Sequence, residues 1–311
     1  MKDYGNEKGV FNLSFKIKKG EIYGLLGPNG SGKTTTIRHI LGFQKPDKGS
    51  VNVCGLNPWK KSADVNYSLG YIPGEISFPK FNSGWSLIKH IAKFKNLKDL
   101  TFVKELVKRF QFDPRGKIKT MSKGMKQKLA IVVAFMAKPS VLILDEPTSG
   151  LDPLMQLEFD KLVLEFKQAG ATILLSSHIF SEIEKVCDRV SIIKNGKMIM
   201  ETNLNEIEND PNKEFKIEVI DKKNYEKFHS LVSKNHDIKI IADKKEKNQI
   251  ILGVHDKNIN KLIEILYEVE VKFVYQHVKS LEEVFMKYYS NDKDYSFRKI
   301  KDNILKGGKN A

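Results

Sequence analysis

Short apolar runs over residues 22–26, 141–144 and 172–175 each give way at once to polar or glycine-rich residues, and amphipathic helical stretches separate them up to about Glu201. Runs this short and β-rich predict buried strands. With helical patterns between them, they predict a largely parallel sheet packed with helices, an α/β architecture. Met155, Phe159, Leu162 and Phe166 recur at helical spacing, with Asp152 and Pro153 as cap and first turn and Gly170 as stop. Asn195 and Gly196, set between apolar runs at 190–193 and 198–200, predict a hairpin. The stretch 76–120 departs from this alternation. It is Lys-rich and aromatic with helical patches, and predicts an inserted helical lobe, taken to extend to about residue 139.

A second pattern follows Pro211. Phe215, Ile217 and Val219 alternate as in a strand, and Tyr225, Phe228, Leu231 and Val232 follow as a helix. Strands are predicted over 238–242 and 250–254, a helix through Ile259, Leu262, Ile263 and Leu266, and a strand over 271–275. The order β-α-β-β-α-β is that of a split ferredoxin-like α+β unit. A helix over Leu281–Tyr289 closes it, and 291–311 is expected to be a loose basic tail. The predicted division is therefore 1–210, 211–290 and 291–311.

Between the first strand run and a helical pattern stand Gly27, Pro28, Asn29, Gly30, Ser31, Gly32, Lys33, Thr34 and Thr35. This fits G-x-x-x-x-G-K-[ST] in the strand-to-helix context that the motif requires. Glycines let backbone N–H groups converge on phosphate oxygens, and the helix N-terminus favours the anion. Lys33 adds a point charge for the outer phosphates, and the Thr34 hydroxyl suits Mg²⁺. ATP with Mg²⁺ is the expected ligand; a plain glycine-rich turn is the alternative. The run 141–144 delivers Asp145 and Glu146 to the sheet edge, Asp145 for the metal and Glu146 to polarise an attacking water. Ser122 can cap a helix through Met125, Leu129, Val132 and Met136, and with Gly124 it can offer an anion site. Taken alone, that segment reads more readily as an ordinary capped helix.

Composition narrows the partners. A net charge of +15 and a pI near 9.4 are compatible with nucleic acid, an anionic membrane leaflet or simply a Lys-rich solvated surface. Cys54 and Cys187 have no metal-ligand spacing, which suits a reducing compartment without disulfides. The N-terminal residues do not read as a signal peptide, and no uncharged apolar run approaches the roughly 20 residues of a spanning helix. A membrane role therefore requires another chain to cross the bilayer.

The ordered set 27–34, 122–127, 142–147, Ser149-Gly150-Leu151-Asp152 and His178 resembles the nucleotide-binding subunits of ATP-binding-cassette (ABC) transporters. The resemblance covers about residues 4–205. The C-terminal unit, ending in Ser280-Leu281-Glu282-Glu283-Val284-Phe285, is similar to the accessory domain of bacterial drug- and antibiotic-exporter ATPases. The implied fold is a P-loop ABC-type domain with an inserted helical subdomain. The implied function is to hydrolyse ATP at the cytoplasmic face of the cell membrane, powering export through a separate permease. A soluble ABC ATPase acting on ribosomes or nucleic acid is the alternative; the single phosphate loop and the lack of sustained heptads speak against it, and no nucleic-acid partner is expected.

The resemblance further implies a head-to-tail pair of subunits, with a homodimer expected. Each ATP lies between one copy's phosphate loop and the other's Ser122–Gly124 signature. Asp152 falls along the seam, His178 on the γ-phosphate and attacking water, Tyr4 on adenine. The permease is expected near residues 72–81, where Ile76, Phe78 and Phe81 stand. Three departures from the family pattern are visible. Gly74, with Glu75 beside it, replaces a glutamine that meets Mg²⁺ and signals to the permease. Lys123 and Met125 stand where glycine and glutamine are usual. Little sequence precedes Tyr4, so that margin of the domain is expected to be incomplete.

Overall fold

The structure is a computed structural model that describes residues 1–6, 8–278 and 280–289, with the side chains of 208 and 287–289 left aside. The expected tail, 291–311, lies outside the described residues. The chain divides into two compact units, the first Met1–Leu204 and the second beginning at Asn205.

In the first unit β1 (Lys2–Asp3) and β2 (Gly9–Val10) form a small antiparallel ribbon. Then come β3 (Ile22–Leu26), α1 (Lys33–Ile40), α2 (Ser62–Ser68) and β4 (Leu69–Ile72). Helices α3 (Gly84–Phe94), α4 (Thr101–Arg109) and α5 (Lys123–Phe135) follow, covering the stretch read as helical. The remainder is β5 (Val141–Asp145), α6 (Pro153–Gln168), β6 (Thr172–Ser177), α7 (Phe180–Val186), β7 (Arg189–Lys194) and β8 (Lys197–Asn203).

The main sheet has the order β4-β5-β6-β3-β7-β8, parallel throughout except for the β7–β8 hairpin. That hairpin turns at Asn195 and Gly196, both at positive φ, 48° and 71°, as a two-residue type I′ turn demands. Strand β3 is buried along its whole length, which explains its unbroken apolar run: both sheet faces are covered. Tyr23, Leu25, Ile37, Leu41, Ile143 and Leu174 pack one side of the sheet. Phe15 stacks on Tyr23 at 5.2 Å between ring centroids.

The second unit is introduced by α8 (Leu204–Glu208), which bridges the division. It contains β9 (Asn212–Val219), α9 (Lys222–Ser233), β10 (Ile238–Lys244), β11 (Gln249–His255), α10 (Ile259–Tyr267), β12 (Val271–His277) and α11 (Leu281–Tyr289). Its sheet is fully antiparallel, in the order β10-β11-β9-β12. Asp221 caps α9 by accepting the Asn224 N–H at 2.8 Å. Ile217, Val219, Tyr225, Phe228, Ile250, Leu252 and Leu262 form a core of its own.

One half-buried acid in the first unit carries a pH signature. Burial raises the Asp160 carboxyl on α6 from 3.8 to about 6; Lys185 pulls it down and Glu182 pushes it further up. A carboxyl raised on folding binds its proton more tightly in the native state. Its contribution therefore falls as pH rises from about 4 through about 6, and above that the native state carries an unfavourable charge. Solvent screening of a half-buried group limits this to about 1 kcal/mol. Asp160→Asn should raise Tm at pH 7.5 by roughly 2–4 °C, with the gain vanishing toward pH 4. Thermal unfolding at both pH values is the check, and an equal gain at each would assign the effect to something other than ionisation.

Candidate functional site

Parallel pairing brings the chemistry together. Leu26 at the end of β3 lies in register with Ser177 on β6, and Asp145 at the end of β5 with Ser176. The carboxyl ends of three adjacent strands therefore present residues 27–34, Asp145, Glu146 and His178 along one edge. In open parallel sheets this edge is where ligands bind.

The loop after β3 is fixed by close approach. A Cβ on Gly27 would sit 2.3 Å from the Ile193 carbonyl oxygen and 2.6 Å from Ser31 Oγ, so only glycine fits. Gly32, at φ 106°, turns the chain into α1 through a conformation that side-chain-bearing residues rarely adopt. Ser31 Oγ is buried and has no hydrogen-bond partner within the protein, an orphan oxygen inside the loop.

Lys33 opens α1 and is 5% exposed; its Nζ donates to the Gly27 carbonyl at 2.6 Å and to that of Pro28 at 3.4 Å. It also lies 3.2 Å from Glu146 Oε1. That contact is an ion pair by distance but not a hydrogen bond by geometry, since Oε1 is itself buried without a hydrogen-bond partner. Thr34 Oγ1 donates to Asp145 Oδ2 at 2.9 Å, and Asp145 Oδ1 accepts from the Ser176 hydroxyl. Asp145 is fully buried.

Glu146 sits at φ 48°, a left-handed conformation outside glycine that costs energy and concentrates at functional sites. Its N–H is held by the Ser176 carbonyl at 3.1 Å. Its Oε2 lies 2.7 Å from His178 Nδ1. An ionised carboxylate only accepts, so Nδ1 is the donor and Nε2 is left for an outside group. One carboxylate thus spans a buried cation and a half-exposed imidazole, an arrangement able to orient a water beside an anion.

Gly74, the departure from the family pattern, packs against the acid of this edge: a Cβ there would meet Asp145 Oδ2 at 3.1 Å. A larger residue in this backbone would sit in tight contact with the carboxylate. Nearby, burial pushes the Tyr71 phenol up to about 12, and the charge of Asp145 adds to the effect. Ile76, Phe78 and Phe81 are half-buried, and the Phe81 ring packs 5.1 Å from that of His90 on α3.

Ser122 caps α5, accepting the Met125 N–H at 3.2 Å. The start of α5 is bonded to the segment after Glu146. Lys123 Nζ donates to Ser149 Oγ at 2.8 Å, and Gln127 Nε2 to the Pro147 carbonyl at 2.6 Å. A Cβ on Gly124 would lie 2.7 Å from the Gly150 oxygen. Asp152 caps α6 through the Met155 N–H at 3.0 Å, and its carboxylate lies 3.9 Å from Lys128. Ser122, Lys123 and Asp152 are exposed. Tyr4 directly follows β1, in the connection between the two strands of the ribbon; it is 52% exposed and its hydroxyl donates to Gln44 at 2.7 Å.

Sequence reasoning did not single out Ser176, which bonds both Asp145 and the Glu146 backbone, nor Thr148, Ser177 and Glu182. The signal available was the pair of serines directly ahead of His178, small hydroxyls at the end of an otherwise apolar strand.

Comparison with known proteins places this geometry in a family. The model of the ABC transporter family matches residues 10–149. The uncharacterized ABC transporter ATP-binding protein YhcH of Bacillus subtilis is 34% identical over 291 residues, 92% of each chain. The chain belongs to the ABC transporter ATP-binding proteins. The bacitracin transport ATP-binding protein BcrA of Bacillus licheniformis is 38% identical over 206 residues, 64% of this chain and 66% of that one. A solved ATP-binding subunit of an ABC transporter shares 31% identity at a TM-score of 0.60, covering 65% of this chain and 86% of its own. The main sheet with its covering helices and glycine loop is thus the P-loop fold of an ABC ATPase.

Proposed function

We propose that this chain hydrolyses Mg-ATP as one of a pair of subunits and drives export of a drug, antibiotic or similar small molecule through a separate permease. The observation that carries the reading is the Glu146 carboxylate, held between Lys33 and His178 beside the Thr34–Asp145 pair. Similarity to a bacitracin transport protein supports the substrate class.

Residues 27–32, Pro28 excepted, supply backbone N–H donors to the phosphates, Lys33 a charge to the outer ones, and Thr35 a hydroxyl beside them. Glu146 orients the attacking water, and His178 Nε2 faces the terminal phosphate. Tyr4 stacks on adenine. Thr34 and Asp145, hydrogen-bonded to each other at 2.9 Å, would hold Mg²⁺, which when bound would supply positive charge to the phosphates. Two hard protein oxygens suit an ion that otherwise keeps water and phosphate oxygens; among the described residues no cluster of three or more acidic, His or Cys ligands competes for a metal. Ser122, Gly124 and Asp152 serve the partner copy's nucleotide.

Helices α3–α5 form the inserted helical subdomain, with the permease docking near residues 72–81 at the cytoplasmic face of the membrane. No described helix is long and apolar enough to cross a membrane, and the proposed path for the cargo is the separate permease. The β-α-β-β-α-β order and the strand order β10-β11-β9-β12 support a ferredoxin-like accessory domain over 211–290, after a nucleotide-binding domain over 1–210.

Phosphate release by the purified chain with Mg-ATP, together with sedimentation on inverted membrane vesicles of its native cells, tests the reading. Turnover with retention on vesicles is expected. Nucleotide binding without turnover would overturn the hydrolytic role, and turnover without retention would overturn the transport role.

A further inference from the structure

Glu182, in the first turn of α7, belongs to none of the segments that carry the nucleotide motifs. Its carboxylate nevertheless joins two of them. Oε1 accepts from Thr148 Oγ1 at 2.6 Å, and Oε2 accepts from Ser177 Oγ at 2.5 Å. Thr148 is 6% exposed and Ser177 is fully buried. Ser177 Oγ also accepts the Ile179 N–H at 3.0 Å, so the hydroxyl is fixed on both sides of His178.

The two anchored residues are not arbitrary. Thr148 stands two positions after Glu146, and Ser177 immediately precedes His178. One carboxylate therefore ties together the segments that carry the 2.7 Å contact between Glu146 Oε2 and His178 Nδ1. Each hydroxyl gives its one proton to a separate oxygen of the half-buried Glu182 carboxylate, and charge-assisted bonds of this kind are short and strong.

We propose that Glu182 is a positioning residue for the Glu146–His178 pair: it clamps Thr148 to Ser177 and so sets the separation of the two groups. This rests on the hydrolytic reading given above. Glu182 reaches the reaction only through other residues, so its loss moves kcat and leaves nucleotide affinity alone. Supporting residues of this kind commonly change activity by about 10–100-fold.

The test compares Glu182→Ala, the isosteric Thr148→Val, and Thr148→Ser, which restores the hydroxyl. Glu182→Ala and Thr148→Val should each lower kcat by about 10–100-fold with KM for ATP within about twofold, and Thr148→Ser should recover turnover. The double variant Glu182→Ala/Thr148→Val should lose less than the two single losses combined, because both break one clamp. A readout independent of turnover is nitrogen NMR of His178 Nδ1 in the nucleotide-free chain. Its signal should shift in Glu182→Ala and Thr148→Val and return in Thr148→Ser. If the parent chain does not turn over ATP, the hydrolytic reading fails while the NMR signal still decides the clamp. Should Glu182→Ala fail to fold, Thr148→Val against Thr148→Ser decides alone. Folded clamp variants with parental kcat, losses that simply combine, or an unmoved His178 signal would overturn the proposal.

Discussion

Glu146→Gln is expected to lower ATP turnover by about 10²–10³-fold while leaving nucleotide bound. The amide keeps the length and shape of the side chain and can still accept from His178 Nδ1, which lies 2.7 Å from Oε2. It loses the negative charge that faces Lys33 at 3.2 Å and that polarises a water at the phosphate edge. Phosphoryl transfer depends on positioning and electrostatics rather than covalent chemistry, so removal of one preorganised charge falls on the chemical step. The left-handed backbone at this position, φ 48°, is unaffected by the change, which keeps the variant's geometry close to the parent's. Single-turnover phosphate release beside equilibrium ATP binding gives the comparison. A variant that turns over at the parental rate would remove Glu146 from the mechanism.

Lys33→Ala acts one step earlier. Its Nζ is the loop's own cation, buried to 5% exposure and aimed along the loop by the Gly27 carbonyl at 2.6 Å. A charge-assisted hydrogen bond to phosphate is worth about 1.5–3 kcal/mol, which converts to roughly 10–150-fold in affinity. Losing it also strips Glu146 Oε1 of its neighbouring charge, so turnover at saturating ATP should fall as well. Titration with a fluorescent ATP analogue measures the first effect and steady-state hydrolysis the second. Unchanged affinity with unchanged hydrolysis would mean that the phosphates do not lie on this loop.

Both effects were foreseeable from sequence because the loop is local. Six residues between a buried strand and a helix fix where the backbone donors point, and glycine spacing reports that directly. The same holds for the hairpin at Asn195 and Gly196 and for the caps Ser122 and Asp152, each set by bonds within a few residues. The alternation of apolar positions in β9 and β11 likewise announced a separate core in the second unit.

What the sequence alone determined, then, was most of the strands and helices, the glycine-rich loop after β3, and the acid pair Asp145 and Glu146 at the end of β5, because strand periodicity, helix periodicity and turn chemistry are short-range properties of the chain. Only the tertiary structure decided which strands are neighbours. The order β4-β5-β6-β3-β7-β8 inserts β6 between β5 and β3, and that insertion sets Ser176 against Asp145 and His178 against Glu146 across more than thirty residues of chain. It also decided that Gly74 backs onto the Asp145 carboxylate and that Glu182 bridges Thr148 and Ser177. Contacts of this range depend on sheet register and on the packing of whole helices, and no local pattern of hydrophobic and polar residues records them.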